Sequence, residues 1–201
     1  SMLITCVWSG MSLGIILYSA AMKNVSKAYY EAAQIDGAGE ILFTEHGKGW
    51  AYAMEQSLAK PTTVKLLADW VAPNGDFYIT GPNGWQYGTK YGSLYLNNNF
   101  DITIDLNGHR IDRNLSEAKD NGMVFYLNDY DCKLTIKDSV GGGKITGGNN
   151  TDEGGAFHMD SGSLYIEGGE ISGNKASTGA GIFAGSKNNL CVYGGKITNN
   201  T

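Results

Sequence analysis

Leu164-Tyr165-Ile166-Glu167-Gly168-Gly169-Glu170-Ile171 decides how this chain is read. Apolar and polar residues alternate over its first half, a glycine pair interrupts, and an isoleucine closes it, the pattern of a half-buried strand followed by a tight corner. Leu190-Cys191-Val192-Tyr193-Gly194-Gly195-Lys196-Ile197 repeats it, and Ile104-Asp105-Leu106-Asn107-Gly108-His109-Arg110-Ile111 has the same form. A fourth copy starts at Leu134-Thr135-Ile136-Lys137 and reaches Gly142-Gly143-Lys144-Ile145 after four extra residues, Asp138 to Gly141. The copies begin at positions 104, 134, 164 and 190, steps of 30, 30 and 26 residues.

Each unit holds another apolar run about a dozen residues beyond its isoleucine. These runs are Val124-Phe125-Tyr126-Leu127, Ala156-Phe157-His158-Met159 and Gly181-Ile182-Phe183-Ala184. Loops rich in Asn, Ser, Asp and Gly, such as Gly147-Gly148-Asn149-Asn150, separate them. A unit with three short strands and three turns can close into one triangular coil, with Leu164, Ile166, Ile171 and Phe183 pointing inward. One coil cannot bury that face alone, whereas stacked coils bury a continuous core. Glycine at the fixed corner supplies φ > 0, and asparagine tolerates the left-handed region elsewhere. The spacing therefore predicts an all-β fold, a right-handed parallel β-helix (solenoid) over residues 64–201, with an N-terminal α-helical segment or cap. An antiparallel sandwich would have no cause to repeat a corner glycine in register, and a disordered tail would not keep large apolar residues in phase.

Composition agrees. The 201 residues include 29 Gly and only 3 Pro, a level that suits many regularly spaced turns. A net charge of -5, with lysines scattered singly, argues against a nucleic-acid partner. Cys6, Cys132 and Cys191 form no CxxC pair, so neither a disulfide framework nor a zinc site is expected, and no other metal or cofactor is indicated. Ser1 ahead of Met2 reads as the remnant of a cleaved tag.

The pattern L-x-I-x-G-G-x-I-S/T-x-N, then G-G/A-I/F, resembles the Gly-rich parallel β-helix repeats of large bacterial surface proteins, over roughly residues 48–201. The lead-in Gly49 to Met54 and Val64 to Trp70 fits that resemblance, with residues 41–63 expected as a connecting loop and a short amphipathic helix carrying Ala53, Leu58 and Ala59. The resemblance implies a bacterial cell-surface or extracellular location. It is specific for fold rather than function, since such repeats occur in adhesins, stalks and polysaccharide-active proteins. Without a capping sequence after Ile197-Thr198-Asn199-Asn200-Thr201, the C-terminal end is expected to be an open edge able to self-associate.

Residues 1–40 read differently. Met2 to Met22 contains no charged residue and is long enough to span a hydrocarbon core as a helix, with Lys23 and Lys27 following. The alternatives are a membrane-associated segment and a helix packed over the first coil. Tyr29-Tyr30-Glu31-Ala32-Ala33-Gln34-Ile35-Asp36-Gly37 resembles the E-A-A-x-x-x-G loop of sugar ABC transporter permeases. That resemblance implies docking to an ABC ATPase through Glu31, Ala32, Ala33 and Gly37. It covers about residues 8–40 and then stops, and one span cannot line a transport path.

For catalysis, a polysaccharide lyase would need a base beside calcium-holding carboxylates, and a hydrolase would need paired acids. Asp152, Glu153 and Asp160 with His158 are candidates, as are Asp101, Asp105 and Asp112 around the first repeat, but none shows a partner in stacked register. His46, His109 and His158 occupy unlike places in the repeat. Tyr78, Trp85, Tyr87, Tyr91 and Tyr95 cluster ahead of the first clear repeat, and such rings stack on sugars or cover a core edge; Tyr78, Trp85, Tyr87 and Tyr91 are the candidate sugar-stacking residues. The chain is thus expected to be a non-catalytic structural or binding module of a bacterial surface protein that contacts glycan. The alternatives are a fragment or fusion associated with a sugar ABC importer permease, and a polysaccharide lyase- or hydrolase-like enzyme.

Overall fold

Alternation of buried and half-buried side chains makes strands of most of the apolar runs. The computed structural model describes residues 40–43, 48–78 and 89–201. The chain divides into two units, Ser1–Ala38 and Gly39–Thr201, and every described residue lies in the second. The expectations that fall on residues 2–22, and the docking positions Glu31, Ala32, Ala33 and Gly37, lie outside the described residues.

The larger sheet contains β1 (Glu40–Phe43), β2 (Thr62–Leu66), β6 (Asp101–Asp105), β8 (Phe125–Lys137), β10 (Phe157–Ile166) and β12 (Ile182–Val192), parallel and in that spatial order. A short antiparallel hairpin, β4 (Thr89–Lys90) with β5 (Ser93–Leu96), joins it through parallel pairing of β5 with β8. The smaller sheet holds β3 (Trp70–Val71), β7 (Arg110–Asp112), β9 (Lys144–Thr146), β11 (Glu170–Ile171) and β13 (Lys196–Ile197), also parallel.

The register follows the sequence repeat. Val64, Ile104, Ile136, Ile166 and Val192 pair in one column across the larger sheet. Trp70, Ile111, Ile145, Ile171 and Ile197 do so across the smaller one. The inner members of both columns are buried, while Val192 and Ile197 on the last strands are exposed. A slip of one residue would turn each column outward, so burial of one face fixes the register. The helix α1 (Lys48–Ser57) buries Trp50, Ala53 and Met54, and Trp50 meets Phe125 edge-on at 5.9 Å. Leu58 and Ala59, expected on that helix, lie beyond its end and are exposed.

The expected all-β, three-sided right-handed parallel β-helix is corrected here. The architecture is α/β-like: two parallel sheets with one helix among the described residues, and no closed solenoid. The cause lies in the polar segments expected as the third corner. Asn128 to Cys132 stays within β8, and Asp160 to Ser163 within β10, so two sequence runs merge into one long strand. Register shifts around Asn128 and at Met159/Ser161 absorb the extra residues as bulges. The remaining side carries only isolated bridges among the described residues, such as Lys119 with Asn150 and Asn149 with Lys175. Backbone bonds hold the chain there, such as Asn149 N to the Gly122 carbonyl at 2.9 Å and Lys175 N to the Gly148 carbonyl at 2.8 Å. Side chains add to them: Asn150 Oδ1 accepts from Gly122 N at 3.2 Å, and Asn174 Oδ1 from Gly148 N at 3.0 Å. The corner glycines do take positive φ, as at Gly169 and Gly195 (both 81°).

Candidate functional site

Parallel in-register strands place like positions side by side at about 4.8 Å spacing. On the outer face of the larger sheet this aligns Tyr95, Tyr126, His158 and Phe183, one from each of β5, β8, β10 and β12. The sequence neighbours of Tyr95, Tyr126 and His158, namely Leu94, Leu96, Phe125, Leu127, Phe157 and Met159, are buried, so these three face outward, and Phe183 continues their row in register on the last strand. Successive ring centroids are 5.1, 5.1 and 5.2 Å apart: Tyr95 to Tyr126 tilted, Tyr126 to His158 edge-on, His158 to Phe183 tilted.

A polar tier runs along one side of this row. Asn128 Nδ2 donates to Tyr95 Oη at 3.3 Å. Tyr126 Oη donates to Asp160 Oδ2, and His158 Nε2 lies 3.0 Å from Asp160 Oδ1. His158 Nδ1 lies 2.8 Å from the Glu153 carbonyl oxygen. Both ring nitrogens therefore face oxygen acceptors, and a neutral imidazole can donate to only one of them. Asp160 sits at the β10 bulge, which re-aims its half-exposed carboxylate between the two rings. Burial raises the Tyr126 phenol well above its ordinary pKa, and the hydrogen bond to Asp160 and its charge add to that, so the hydroxyl stays a donor.

The sequence candidates fall elsewhere. Tyr78 and Tyr91 are both exposed, at 54% and 46%. Trp85 and Tyr87 lie outside the described residues. One buried cation organises this region: Arg113 is fully buried and donates to the carbonyls of Pro73, Gly75 and Tyr91 at 3.3, 2.8 and 3.4 Å. Its guanidinium also lies 5.3 Å from the Phe77 ring centroid. Burial brings its pKa down to about 10, with Asp76 acting in the opposite sense, so it remains charged at neutral pH. Arg113 thus ties the Tyr91 turn to the loop leading to Tyr78. It fills the space beside Gly92, where an added Cβ would sit 2.3 Å from Nη2.

Among the acids, Asp101 pairs with Lys133 at 3.4 Å and Asp105 with Lys137 at 3.7 Å, each across one strand step. Asp152 accepts the backbone N–H of Ser177 through its carbonyl, and Asp112 caps the Asn114 N–H. Asp160 joins an aromatic of a neighbouring unit, Tyr126, a cross-strand partnership that sequence reasoning missed. The signal was present, because Tyr126, His158 and Phe183 hold the same place in their runs.

Away from the row, a groove of about 390 Å³ opens where the smaller sheet begins, over Gly143, Gly169 and Gly195 with Lys144, Glu170 and Lys196 at its side. Asp138 closes its floor by accepting from the N–H groups of Gly108, Gly141 and Gly143. Among the described residues no three His, Cys, Asp or Glu side chains converge to hold a metal ion, and no helix is long and apolar enough to cross a membrane. No family model, curated protein or solved structure matches this chain.

Proposed function

We propose that this chain is a non-catalytic binding module that contacts glycan through the outer row Tyr95, Tyr126, His158 and Phe183. The observation that carries the reading is the pairing of that row with a polar tier. The partly exposed rings offer apolar edges and face portions to the C–H side of a pyranose, and Asn128 and Asp160 lie beside them as polar neighbours. Asp160 supports a binding rather than a catalytic role, because it is held by Tyr126 and His158 instead of facing a second carboxylate across a cleft. A location on a bacterial cell surface rests on the resemblance of the repeat alone.

The test is titration calorimetry with neutral hexasaccharides (cellohexaose, xylohexaose and chitohexaose) against the unaltered chain and Tyr126→Ala. Binding of at least one of them, weakened about tenfold or more by the substitution, is expected from loss of one stacked ring. No binding to any of the three, or binding that Tyr126→Ala leaves unchanged while Tyr78→Ala removes it, would reject this surface.

A further inference from the structure

Asn-Gly pairs stand at Asn74-Gly75, Asn83-Gly84, Asn107-Gly108 and Asn121-Gly122. Asn83-Gly84 lies outside the described residues. From the surroundings of the other three we infer that Asn74 is a self-modification site. Its side-chain amide cyclises onto the Gly75 nitrogen, and the isoaspartate that follows releases the hold of Arg113 on this loop. This is independent of the glycan reading above.

The chemistry needs one new bond. The Gly75 nitrogen, having given its proton to base in solvent, attacks the side-chain carbonyl carbon Cγ of Asn74. The bond from Cγ to the side-chain nitrogen breaks, and that nitrogen takes up solvent protons and leaves as ammonia. Water then opens the five-membered imide at one of its two carbonyls, giving aspartate or isoaspartate. Glycine admits the ring most readily as the following residue, because no Cβ stands beside its nitrogen.

The new bond forms along the direction of the lost N–H, so an acceptor seated there blocks it. Gly108 N donates to Asp138 Oδ1 at 2.8 Å, and Asn107 Nδ2 is itself held by the Leu66 carbonyl at 2.9 Å. Gly122 N donates to the Lys119 carbonyl at 3.0 Å and to Asn150 Oδ1 at 3.2 Å. Among the described residues the Gly75 N–H meets no acceptor. A Cβ built at Gly75 would meet nothing within 4 Å, so the space around it is open. Asn74 is exposed, and its Nδ2 donates to the Ser116 hydroxyl at 3.2 Å. Water and base thus reach the pair whose nitrogen is unengaged.

Position gives the product a consequence. Arg113 donates to both carbonyls that flank Asn74, Pro73 at 3.3 Å and Gly75 at 2.8 Å. Isoaspartate routes the main chain through Cβ and Cγ, which lengthens the path between those two carbonyls by one atom. Arg113 is fully buried and its Nε already lacks a partner, so a carbonyl drawn away leaves a further donor unmet. The Tyr91 carbonyl is another of its acceptors, at 3.4 Å, and the loosening therefore reaches the β4–β5 turn.

The experiment ages the full chain at pH 8, with and without urea, and follows each pair by peptide mass mapping. In the folded chain, conversion at Asn74 is expected to run about tenfold or more faster than at Asn107 and Asn121, the factor set by first breaking a hydrogen bond to free the N–H. In urea the three rates are expected to converge. Equal rates in the folded chain would overturn the site, and a gap that persists in urea would assign the preference to sequence and overturn its structural cause. The isoaspartate form is then isolated by chromatography and compared with Asn74→Asp, which carries the same charge on an ordinary backbone. Amide hydrogen exchange around Tyr91 and Ser93 is expected to quicken severalfold in the isoaspartate form and to stay at the unaltered rate in Asn74→Asp. Matching exchange in the two forms would overturn the release of Arg113 and leave the modification site standing.

Discussion

Asn174 Nδ2 donates to Asn200 Oδ1 at 3.0 Å, linking the same turn position of successive repeat units. The same amide donates to the Ile145 carbonyl at 3.1 Å and accepts from Gly148 N at 3.0 Å, so it reaches the preceding unit as well. Asn200 repeats the arrangement one unit on, donating to the Ile171 carbonyl at 2.9 Å. Asn174 is fully buried, and its bonds to the Ile145 carbonyl and Gly148 N–H satisfy buried groups. Asn174→Ala leaves the Ile145 carbonyl and Gly148 N–H without these partners. It is expected to cost about 2–3 kcal/mol in urea-unfolding experiments. Asn174→Asp, which loses the donors and adds a buried charge, should cost more.

The core column has an aromatic equivalent. Phe125 and Phe157 stack at 5.0 Å and 8° from parallel, both fully buried. Phe157→Ala removes the stack and leaves a cavity between two strands. A loss of about 3–5 kcal/mol is expected, and a melting temperature within a degree or two of the unaltered chain would contradict this packing.

Close approach between units is sharpest at Gly148, where an added Cβ would stand 1.9 Å from the Gly155 carbonyl oxygen. Backbone cannot rotate away as a side chain can. Gly148→Ala should therefore destabilise by about 1–3 kcal/mol, whereas Gly141→Ala, at a positive-φ position with open space, meets only backbone strain. Unfolding midpoints of the two variants separate the two effects.

Asp105 supplies the acid sensitivity. Burial by itself would raise its pKa, but N–H groups of Ser139 and Asn107, each at 3.0 Å, and the Lys137 charge outweigh it and hold the carboxyl below 3.8. A folded-state pKa below the unfolded value means the stabilisation is present above pH about 4 and lost as pH falls through the depressed pKa. Asp105→Asn should lower stability at pH 7 and flatten the acid limb of the stability–pH curve. An unchanged acid limb would show that Asp105 titrates alike in both states.

The two described thiols should differ in reactivity. Burial pushes Cys132 up to about 11, and it is 1% exposed, whereas Cys191 is partly exposed. Iodoacetamide at pH 8, followed by peptide mass mapping, is expected to label Cys191 first and Cys132 only on unfolding.

The apolar columns were legible in the sequence because their period is the register: Leu134, Leu164 and Leu190 recur in one phase and pair in one column. The two-sheet arrangement was not. Asn128-Asp129-Tyr130-Asp131-Cys132 has the composition of a turn, yet it remains in strand by bulging, which local propensity cannot reveal. The candidate site was half legible. Tyr95 stood out in an aromatic cluster, but Phe183 was read as an inward residue, Tyr126 only as a member of a strand, and His158 only beside Asp160 among the catalytic candidates. Their union depends on a hydrogen bond between Tyr126 and Asp160, 34 positions apart. Tyr78 and Tyr91 drew notice by composition, but the structure orders their segments around Arg113 instead.

Tyr95, Tyr126, His158 and Phe183 are proposed as one contact surface for sugar. The most direct test is the NMR spectrum of the isotope-labelled full chain titrated with cellohexaose. Saturable shifts are expected of the ring resonances of Tyr95, Tyr126, His158 and Phe183 and of the Asn128 side-chain amide, with Tyr78 and Tyr91 unmoved. Shifts confined to Tyr78 and Tyr91, or none at millimolar cellohexaose, would contradict it.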